Sequence, residues 1–411
     1  MCYNIKKRTH VLGKEGNEVG AQGRNRGKRI CLEFAAFTLI SGLISFSYNV
    51  VMTVIPLRMA DRGPGYDRIG GAMSAVAVGL LAVKLVIGHL SDRLGTKRFI
   101  LTALLGLSVV SVLLGRADDL ASYAVLMAAL GIFRGIFLSV NGSFVMDMAE
   151  EGGYGKIYGA VQGISSLLAS VGGMLYFWKE GEYALYLSGT LMGASAIWAG
   201  YALKKGTQAS GERLPVLQIF RSMNRRIFLF CLIVFLQSFV AGPMWSFLIP
   251  MYCYNVLLFS PAAVGVLMSL DELVSAPTYM LAGRAVDRFP VIRFNVIFLF
   301  LTAAGGMLLM RTTSAASFMA VFLLCSISIS CTFVGIPKER AGYIRKEQKG
   351  LELALISLCG SIGDTLGSNV LGQIAERFSL NQCMLLFAGA YVLMAGLAAL
   401  PALDRQKTES S

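Results

Sequence analysis

The sequence of 411 residues is 55% hydrophobic and only 15% charged, with a mean hydropathy of +0.63. Soluble domains carry about 25% charged residues, so this composition excludes a water-soluble globular surface. The net charge of +13 does not indicate nucleic-acid binding, because its basic residues collect in a terminal segment and in short loops between apolar stretches. We therefore expect a membrane protein whose main partner is the lipid bilayer, with no nucleic acid.

The chain opens with a tail, residues 1–29, that is rich in lysine and arginine and directly precedes the first apolar stretch. Basic segments beside a membrane span are retained in the cytoplasm, so the tail is predicted to be cytoplasmic. The first apolar stretch is long and is followed by many others, which is not the pattern of a cleaved signal peptide.

Apolar stretches of about twenty residues recur along the chain, and each is long enough to cross a hydrocarbon core of about 30 Å as a helix. Helices are the expected spanning elements because backbone groups find no water inside a bilayer. Six spans are predicted first, at residues 31–57, 66–90, 99–115, 121–146, 156–178 and 183–203. Six more are predicted at residues 227–254, 261–286, 292–310, 315–336, 352–375 and 382–402.

These spans divide the chain into a six-helix bundle at residues 30–203 and a second at residues 227–403. A basic linker, residues 204–226, separates the bundles, and residues 404–411 form a second short tail. Other basic loops follow the second, eighth and tenth spans. An even number of spans with this charge pattern predicts a multi-pass protein of the inner (cytoplasmic) membrane, with both termini in the cytoplasm.

An internal repeat supports this division. The segment Gly88–Arg98 after the second span is similar to Gly283–Arg293 after the eighth, at an offset of 195 residues (283 minus 88). The same offset relates glycines in the fifth and eleventh spans, Gly155 to Gly350 and Gly172 to Gly367. A constant register at separate places predicts two halves built on one plan and lying in parallel orientation.

The first copy of the repeat resembles the signature G-x-x-x-D-R-x-G-R-R/K-R of the major facilitator superfamily. The matching residues are Gly88, Asp92, Arg93, Gly95, Lys97 and Arg98, and the second copy retains Gly283, Asp287 and Arg288. The resemblance implies an all-α fold of twelve transmembrane helices, in two six-helix bundles related by pseudo-two-fold symmetry. It also implies that these loops gate the cytoplasmic side. The alternative is that they only anchor the topology.

Charged residues in the interior of the spans, away from the first and last turns, are few. They are Lys84, Arg134, Asp271, Glu272 and Asp364, and the interiors of spans three, six, nine and twelve contain none. A charge at a helix centre costs about 2.5–3.5 kcal/mol, so it persists only beside water, a partner or a functional site. The resemblance implies that the four empty spans lie outside a central cavity. We therefore expect these charges to line a substrate or ion pathway, with Arg134 facing at least one acid; a static ion pair that braces the halves is the alternative.

The resulting functional prediction is a secondary transporter that works by alternating access, moving small organic compounds out of the cell in exchange for protons. Ion-coupled uptake of an anionic or sugar-like metabolite is one alternative, and a non-transporting receptor with the same fold is another. No nucleophile–base pair or nucleotide-binding loop predicts an enzyme. The scattered single cysteines and two distant histidines predict no metal site and no cofactor.

Overall fold

A computed structural model gives the architecture of the chain. It describes residues 17–63, 65–94, 96–148, 153–175, 181–202, 225–312, 314–344 and 349–409. Within these ranges, side chains are described except at residues 17–31, 84–94, 96, 142–148, 225, 349–351, 354 and 401–409. Several residues of the predicted pathway and gating loop therefore lie wholly or partly outside the described part. These are the side chains of Lys84, Asp92 and Arg93, the surroundings of Gly88, and Gly95 as a whole.

Twelve helices run back and forth through the described chain, as the sequence predicts. The first bundle contains α1 (Asn17–Ala60), α2 (Tyr66–Leu94), α3 (Thr96–Arg116), α4 (Leu120–Met148), α5 (Tyr154–Met174) and α6 (Glu182–Ala202). The second contains α7 (Arg225–Pro243, a π-helical turn Met244–Leu248, and Ile249–Asn255), α8 (Pro261–Ala285), α9 (Val291–Leu309), α10 (Ala315–Ala341), α11 (Lys349–Arg377) and α12 (Leu380–Glu409). The end of the bundle at which α1 begins and α12 ends is called the terminal side, and the opposite end the distal side.

Three helices extend five or more residues beyond their predicted limits, and one of them, α12, continues to Glu409 rather than ending at residue 402. α1 begins at Asn17 rather than at residue 31, so the second half of the basic tail is helical. α10 continues to Ala341 rather than ending at residue 336, and its last turns carry Lys338, Glu339 and Arg340. In the sequence, these three charged residues predict a loop after residue 336. The segment remains helical because Glu339 is buried and accepts a hydrogen bond from Asn295 Nδ2 of α9 at 2.6 Å.

Of the helices in the described ranges, nine are long and apolar enough by composition to cross a membrane. The other three are α6, α8 and α11. Two of these, α8 and α11, carry acidic side chains of the predicted pathway, so their lower hydropathy fits helices that face the interior rather than lipid. Hydropathy alone does not single out α8 and α11 as membrane spans, whereas the internal repeat supports them as spans.

The outer helices present apolar faces to the exterior. On α3, Leu105, Val109 and Leu113 lie one helical turn apart and are about half exposed. The opposite faces of these helices meet their own bundle, where Ser47 of α1 bonds Ser188 of α6 at 2.6 Å. An apolar exterior around a core that contains hydroxyl groups is the arrangement a bilayer requires, because polar groups are bonded internally.

The halves meet along two helix pairs, α5 with α8 and α2 with α11, which are the pairs that the repeat makes equivalent. The α5–α8 contact depends on glycine over its whole length. A Cβ atom at Gly155 would lie 2.8 Å from the carbonyl oxygen of Gly283, and one at Gly173 would lie 2.5 Å from that of Gly265. Neither distance leaves room for a side chain, so the two backbones touch directly.

We predict that Gly159→Val destabilises the protein by about 1–3 kcal/mol, because the new side chain would collide with the Tyr279 carbonyl of α8. The matched control is Gly396→Val on α12, where a Cβ meets no atom within 4 Å. Thermal unfolding in detergent measures both variants. Equal effects at the two positions would show that backbone contact across the halves is not what the glycine provides.

Candidate functional site

A cavity of about 390 Å³ lies between the two halves. Its walls come from α1, α4 and α5 of the first half and from α7, α8, α10 and α11 of the second. The helices α3, α6, α9 and α12 contribute none of its described lining residues, as the resemblance implies. The polar lining residues are Ser45, Tyr48, Asn49, Thr53, Arg134, Gln162, Ser165, Ser166, Gln237, Ser238, Trp245, Ser246, Asp271, Glu272, Ser275, Tyr279, Ser330 and Asp364.

Four of the five charged residues singled out from the sequence line this one cavity. They are Arg134 of α4, Asp271 and Glu272 of α8, and Asp364 of α11. The backbone of Lys84 belongs to α2, but the position of its side chain lies outside the described part. The location of the charges thus fits the expectation that buried charge is kept away from lipid.

Arg134 packs against an aromatic ring. Its guanidinium carbon lies 3.2 Å from the centre of the Tyr48 ring on α1, which places a cation over the electron-rich face of the ring. Tyr48 also lies within electrostatic range of Asp364. Arg134 and Tyr48 therefore form one pair in the first half, and Asp364 of α11 lies in the same cavity wall.

The two neighbouring acids of α8 have different surroundings although both line the cavity. Asp271 is only 6% exposed, and its Oδ2 accepts a hydrogen bond from Trp245 Nε1 of α7 at 3.1 Å. Glu272 instead contacts Ser166 of α5 and senses the charge of Arg134. Adjacent residues on a helix point about 100° apart, so one acid faces the second half and the other faces the first.

Sequence reasoning missed Tyr48 and Trp245. Trp245 lies in the π-helical turn of α7, directly after Gly242 and Pro243. Proline cannot donate a backbone hydrogen bond, and π-helical turns inside α-helices are frequent at functional sites. The Gly-Pro-x-Trp segment is the signal in the sequence that could have identified Trp245. Glycine and proline both weaken a helix, and here they precede, in the middle of a span, a large aromatic residue that has a polar atom.

On the terminal side, one set of contacts crosses between the halves and is here called the terminal latch. Asp287, just after α8, accepts hydrogen bonds from the backbone nitrogens of Gly155 at 3.2 Å and Lys156 at 2.9 Å, at the start of α5. The same carboxylate forms an ion pair with Lys338 of α10 at 2.7 Å. A carboxylate at a helix N-terminus satisfies free N–H groups and the helix dipole.

The other residues of the predicted gating loops have simpler positions. Gly283 faces Gly155 where α8 crosses α5, and Arg288 is exposed. Lys97 Nζ donates to the Gly200 carbonyl oxygen of α6 at 2.5 Å, which ties two helices of the first half, and Arg98 is exposed. Among the described loop residues, Asp287 is thus the one whose side chain bonds across the halves.

The distal side has its own contact between the halves, here called the distal latch. Glu376 Oε2 at the end of α11 accepts from the backbone nitrogen of Tyr66 at the start of α2, at 2.7 Å. Tyr254 donates to Asp61 Oδ1 at 2.7 Å, and Asn255 Nδ2 donates to the Tyr66 hydroxyl at 3.0 Å. Both latches place a carboxylate of the second half at a helix N-terminus of the first, but at opposite ends of the bundle.

In the described part of the chain, no three His, Cys, Asp or Glu side chains are grouped so that they could hold a metal ion. The acids of the cavity lie instead among hydroxyl, amide and aromatic groups. With three carboxylates and one guanidinium, the described lining carries an excess of acidic groups. This wall can attract a cation or take up a proton.

The Major Facilitator Superfamily model matches residues 37–363 of this chain, and it matches residues 257–411 as well. The chain is 28% identical over 153 residues to Multidrug resistance protein 3 of Bacillus subtilis (strain 168). That alignment covers 36% of this chain and 30% of the relative, so it spans less than a third of the relative's length.

The fold is also found in a solved structure, that of the human organic anion transporter MFSD10 (TETRAN). The two share 17% sequence identity with a TM-score of 0.74, over 90% of this chain and 99% of that chain. At this level of identity the likeness shows a common fold and carries no information on substrate.

We predict that Asp287→Ala destabilises the protein more than Lys338→Met does. The first change removes the cap of α5 together with the ion pair, and a helix cap contributes about 0.5–2 kcal/mol. The second removes only a partly exposed ion pair, whose contribution is about 0–1 kcal/mol. Thermal unfolding of both variants in detergent gives the comparison, and a larger loss in Lys338→Met would contradict the importance of the bond to α5.

Proposed function

This chain belongs to the major facilitator superfamily, a family of membrane transporters, and from that premise we propose that it carries small organic compounds out of the cell in exchange for protons. Family and fold indicate a secondary transporter rather than an enzyme. The observation that carries the proposal is the cavity between the halves, where charged residues of three helices, α4, α8 and α11, converge away from lipid.

The two latches support alternating access. Opening the terminal side requires the bonds of Asp287 to α5 to break, while opening the distal side requires those of Glu376 to α2 to break. Each latch is a few hydrogen bonds over a glycine contact, at Gly155–Gly283 on one side and at Gly70–Gly372 on the other. Contacts of this size can form and break as the halves rock about the cavity.

The composition of the cavity supports an amphipathic, positively charged cargo. Aromatic side chains of Tyr48, Trp245, Tyr279 and Phe333 lie in the same wall as Asp271, Glu272 and Asp364. Aromatic faces attract organic cations, and carboxylates supply the opposite charge. The multidrug resistance protein among the relatives agrees with export of such compounds.

Transport of an organic anion is the second candidate, because one observation favours it. Arg134 lines the cavity beside Tyr48, where its guanidinium presents a positive charge to a ligand. The structural neighbour MFSD10 is named an organic anion transporter. Vesicles loaded with either a fluorescent lipophilic cation or a fluorescent carboxylate separate the two candidates.

The proposal places the protein in the inner membrane with the terminal side in the cytoplasm. In the sequence, basic residues collect before α1, between α6 and α7, and after α2, α8 and α10, which are the positions expected on the cytoplasmic side. Under this orientation the terminal latch is the inner gate and the distal latch is the outer gate. Proton entry from outside would then accompany exit of the cargo.

We predict that purified protein in liposomes moves a fluorescent lipophilic cation when a pH gradient is imposed, and that a protonophore stops the movement. Asp364→Asn should lower the rate at least tenfold, because it removes a carboxylate from the cavity. Asp118→Asn, at a side chain that is 80% exposed outside the cavity, is the matched control and should retain the parent rate. Parent rates in Asp364→Asn, or movement without any gradient, would refute proton-coupled transport through this cavity.

A further inference from the structure

Resting on the proposed function, we propose that the coupling proton is carried by Asp271, and that Trp245 is the positioning residue that transmits its presence to the distal latch. Three acids line the cavity, so proton coupling alone does not say which of them carries the proton. The surroundings of the three carboxylates differ, and this difference selects Asp271.

Asp271 has the least compensated carboxylate of the three. It is only 6% exposed, and its Oδ1 is buried without a hydrogen-bond partner in the described structure. Its Oδ2 accepts a bond from the neutral indole of Trp245, and the Ser326 hydroxyl, which also lies beside the carboxylate, donates to the Phe322 carbonyl oxygen. A buried carboxylate whose hydrogen-bonding neighbours are all neutral is unfavourable as an anion, whereas a proton on Oδ1 removes the charge and supplies the missing hydrogen.

The other two acids lie nearer to the cation of the cavity. Glu272 contacts Ser166 of α5 and lies within range of the positive charge of Arg134, although its neighbour Asp271 repels it when both are ionised. Asp364 lies half-buried against Gly242, near Tyr48, whose ring the Arg134 guanidinium covers. A proton on Asp271 removes the repulsion between the neighbouring acids, so Glu272 and Asp364 can then face a cationic cargo as anions.

Several titratable groups surround Asp271. Glu272 and Tyr279 lie near it on α8 itself and Cys325 on α10, and Tyr391 of α12 lies beyond, near Cys325 and Tyr279, while Arg134 of α4 and Asp364 of α11 lie across the cavity. α7 presents the indole of Trp245, and α5 presents the hydroxyl of Ser166. Arg134 is the one cation among these groups, and its guanidinium lies over the ring of Tyr48 in the first half.

A proton fits this position better than a metal ion. Sodium requires several oxygen ligands around one point, and the described neighbours of Asp271 include an indole N–H, which cannot coordinate a cation. The Ser326 hydroxyl nearby donates to the Phe322 carbonyl oxygen at 2.9 Å. Because Asp271 also lines the cavity, its O–H bond can break when the cavity is open, releasing the proton to water and leaving the carboxylate.

Trp245 is held so that it can respond to this change. Its ring packs against Phe322 of α10 and Phe387 of α12, with centroid separations of 5.7 and 5.8 Å. Its backbone belongs to the π-helical turn Met244–Leu248, a segment with one irregular turn inside α7. Loss of the proton strengthens the bond from the indole to the carboxylate, because the acceptor is then charged.

The same helix reaches the distal latch. Tyr254 and Asn255, at the end of α7, donate to Asp61 and to Tyr66 of the first half. They lie nine and ten residues after Trp245, about 13–15 Å along the helix. A change in the π-helical turn would alter the position of this helix end, so protonation of Asp271 and closure of the distal side would be linked through one helix.

Tryptophan fluorescence tests the assignment directly, without measuring transport. The chain contains three tryptophans, so the Trp178→Phe, Trp198→Phe variant retains only Trp245. In this purified parent, the fluorescence of Trp245 should change in one transition as the pH is raised from acid to mildly alkaline. The transition should be lost in Asp271→Asn and retained in Glu272→Gln and Asp364→Asn, while Asp271→Glu should restore it.

Four outcomes would overturn the assignment. They are a transition that survives in Asp271→Asn, a transition lost only in Glu272→Gln or Asp364→Asn, no transition in a folded parent, and a response to sodium at constant pH. The Asp271→Glu variant guards against loss of folding, because it retains a carboxyl group. If transport is also absent from liposomes the proposed function fails, whereas transport with a transition at another acid contradicts only this inference.

The role of Trp245 is tested by the pH profile of transport in Trp245→Phe. A positioning residue should shift the pH at half-maximal rate relative to the parent, because the indole bond distinguishes the two forms of Asp271. A residue that only fills space should lower the rate by the same factor at every pH. An unshifted profile would remove Trp245 from the coupling path.

Discussion

Electric charge inside a hydrocarbon core is the constraint on which this structure depends. Each charged side chain in a span must find water, a partner or a cavity, because lipid offers none of them. Arg134, Asp271, Glu272 and Asp364 meet this requirement together, in one cavity between the two halves. Two bundles that pack through glycine-rich helix faces leave that space open while the outer helices present apolar side chains to the exterior.

The contacts between the halves are of two kinds, and each kind has a different consequence. The glycine contacts of α5 with α8 and of α2 with α11 bring backbones together without interlocking side chains. The carboxylate bonds of Asp287 and Glu376 then fix the ends of these helices. A smooth interface with a few polar bonds at its edges permits rocking, because the bonds at one end can break while the glycine surfaces slide. An interface filled with large interdigitating side chains would resist the same motion.

The two latches are not copies of one another, although the halves are. The repeat relates Asp287 to Asp92 at the same side of the bundle, whereas the position equivalent to Glu376 is Gly181 (376 minus 195). Glycine has no side chain with which to cap a helix, so the repeat provides no second distal carboxylate. Besides Glu376, the distal latch uses side chains of Tyr254 and Asn255 at the end of α7, the helix that also carries Trp245. This asymmetry gives the second half a particular part in closing the distal side.

The sequence predicted the features that follow from transfer between water and lipid. The twelve helices, the two halves and the cavity position of Arg134 and Asp364 all derive from the cost of exposing polar groups to hydrocarbon, which acts on each residue separately. The repeat supports α8 and α11 as spans, although their hydropathy in the described part of the chain is lower than that of the nine most apolar helices.

The contacts that specify the site could not be predicted in this way. Tyr66 and Glu376 are 310 positions apart, and Gly155 and Asp287 are 132 apart, so their pairing depends on how the complete bundles meet. The end of α10 was predicted too early because its charges resembled a loop, and only the packed structure supplies Asn295 as the partner of Glu339. The π-helical turn that positions Trp245 likewise depends on packing around Pro243.

Accessibility of the cavity from each side of the membrane tests the central claim most directly. Ser45, which lines the cavity, would be replaced by cysteine in a variant without other cysteines, and labelled with a membrane-impermeant thiol reagent applied to either side. If the halves alternate about this cavity, Asp287→Ala increases labelling from the terminal side and Glu376→Gln increases labelling from the distal side. Labelling that both changes leave unaltered, or that comes from the same side in both variants, would contradict alternating access through this cavity.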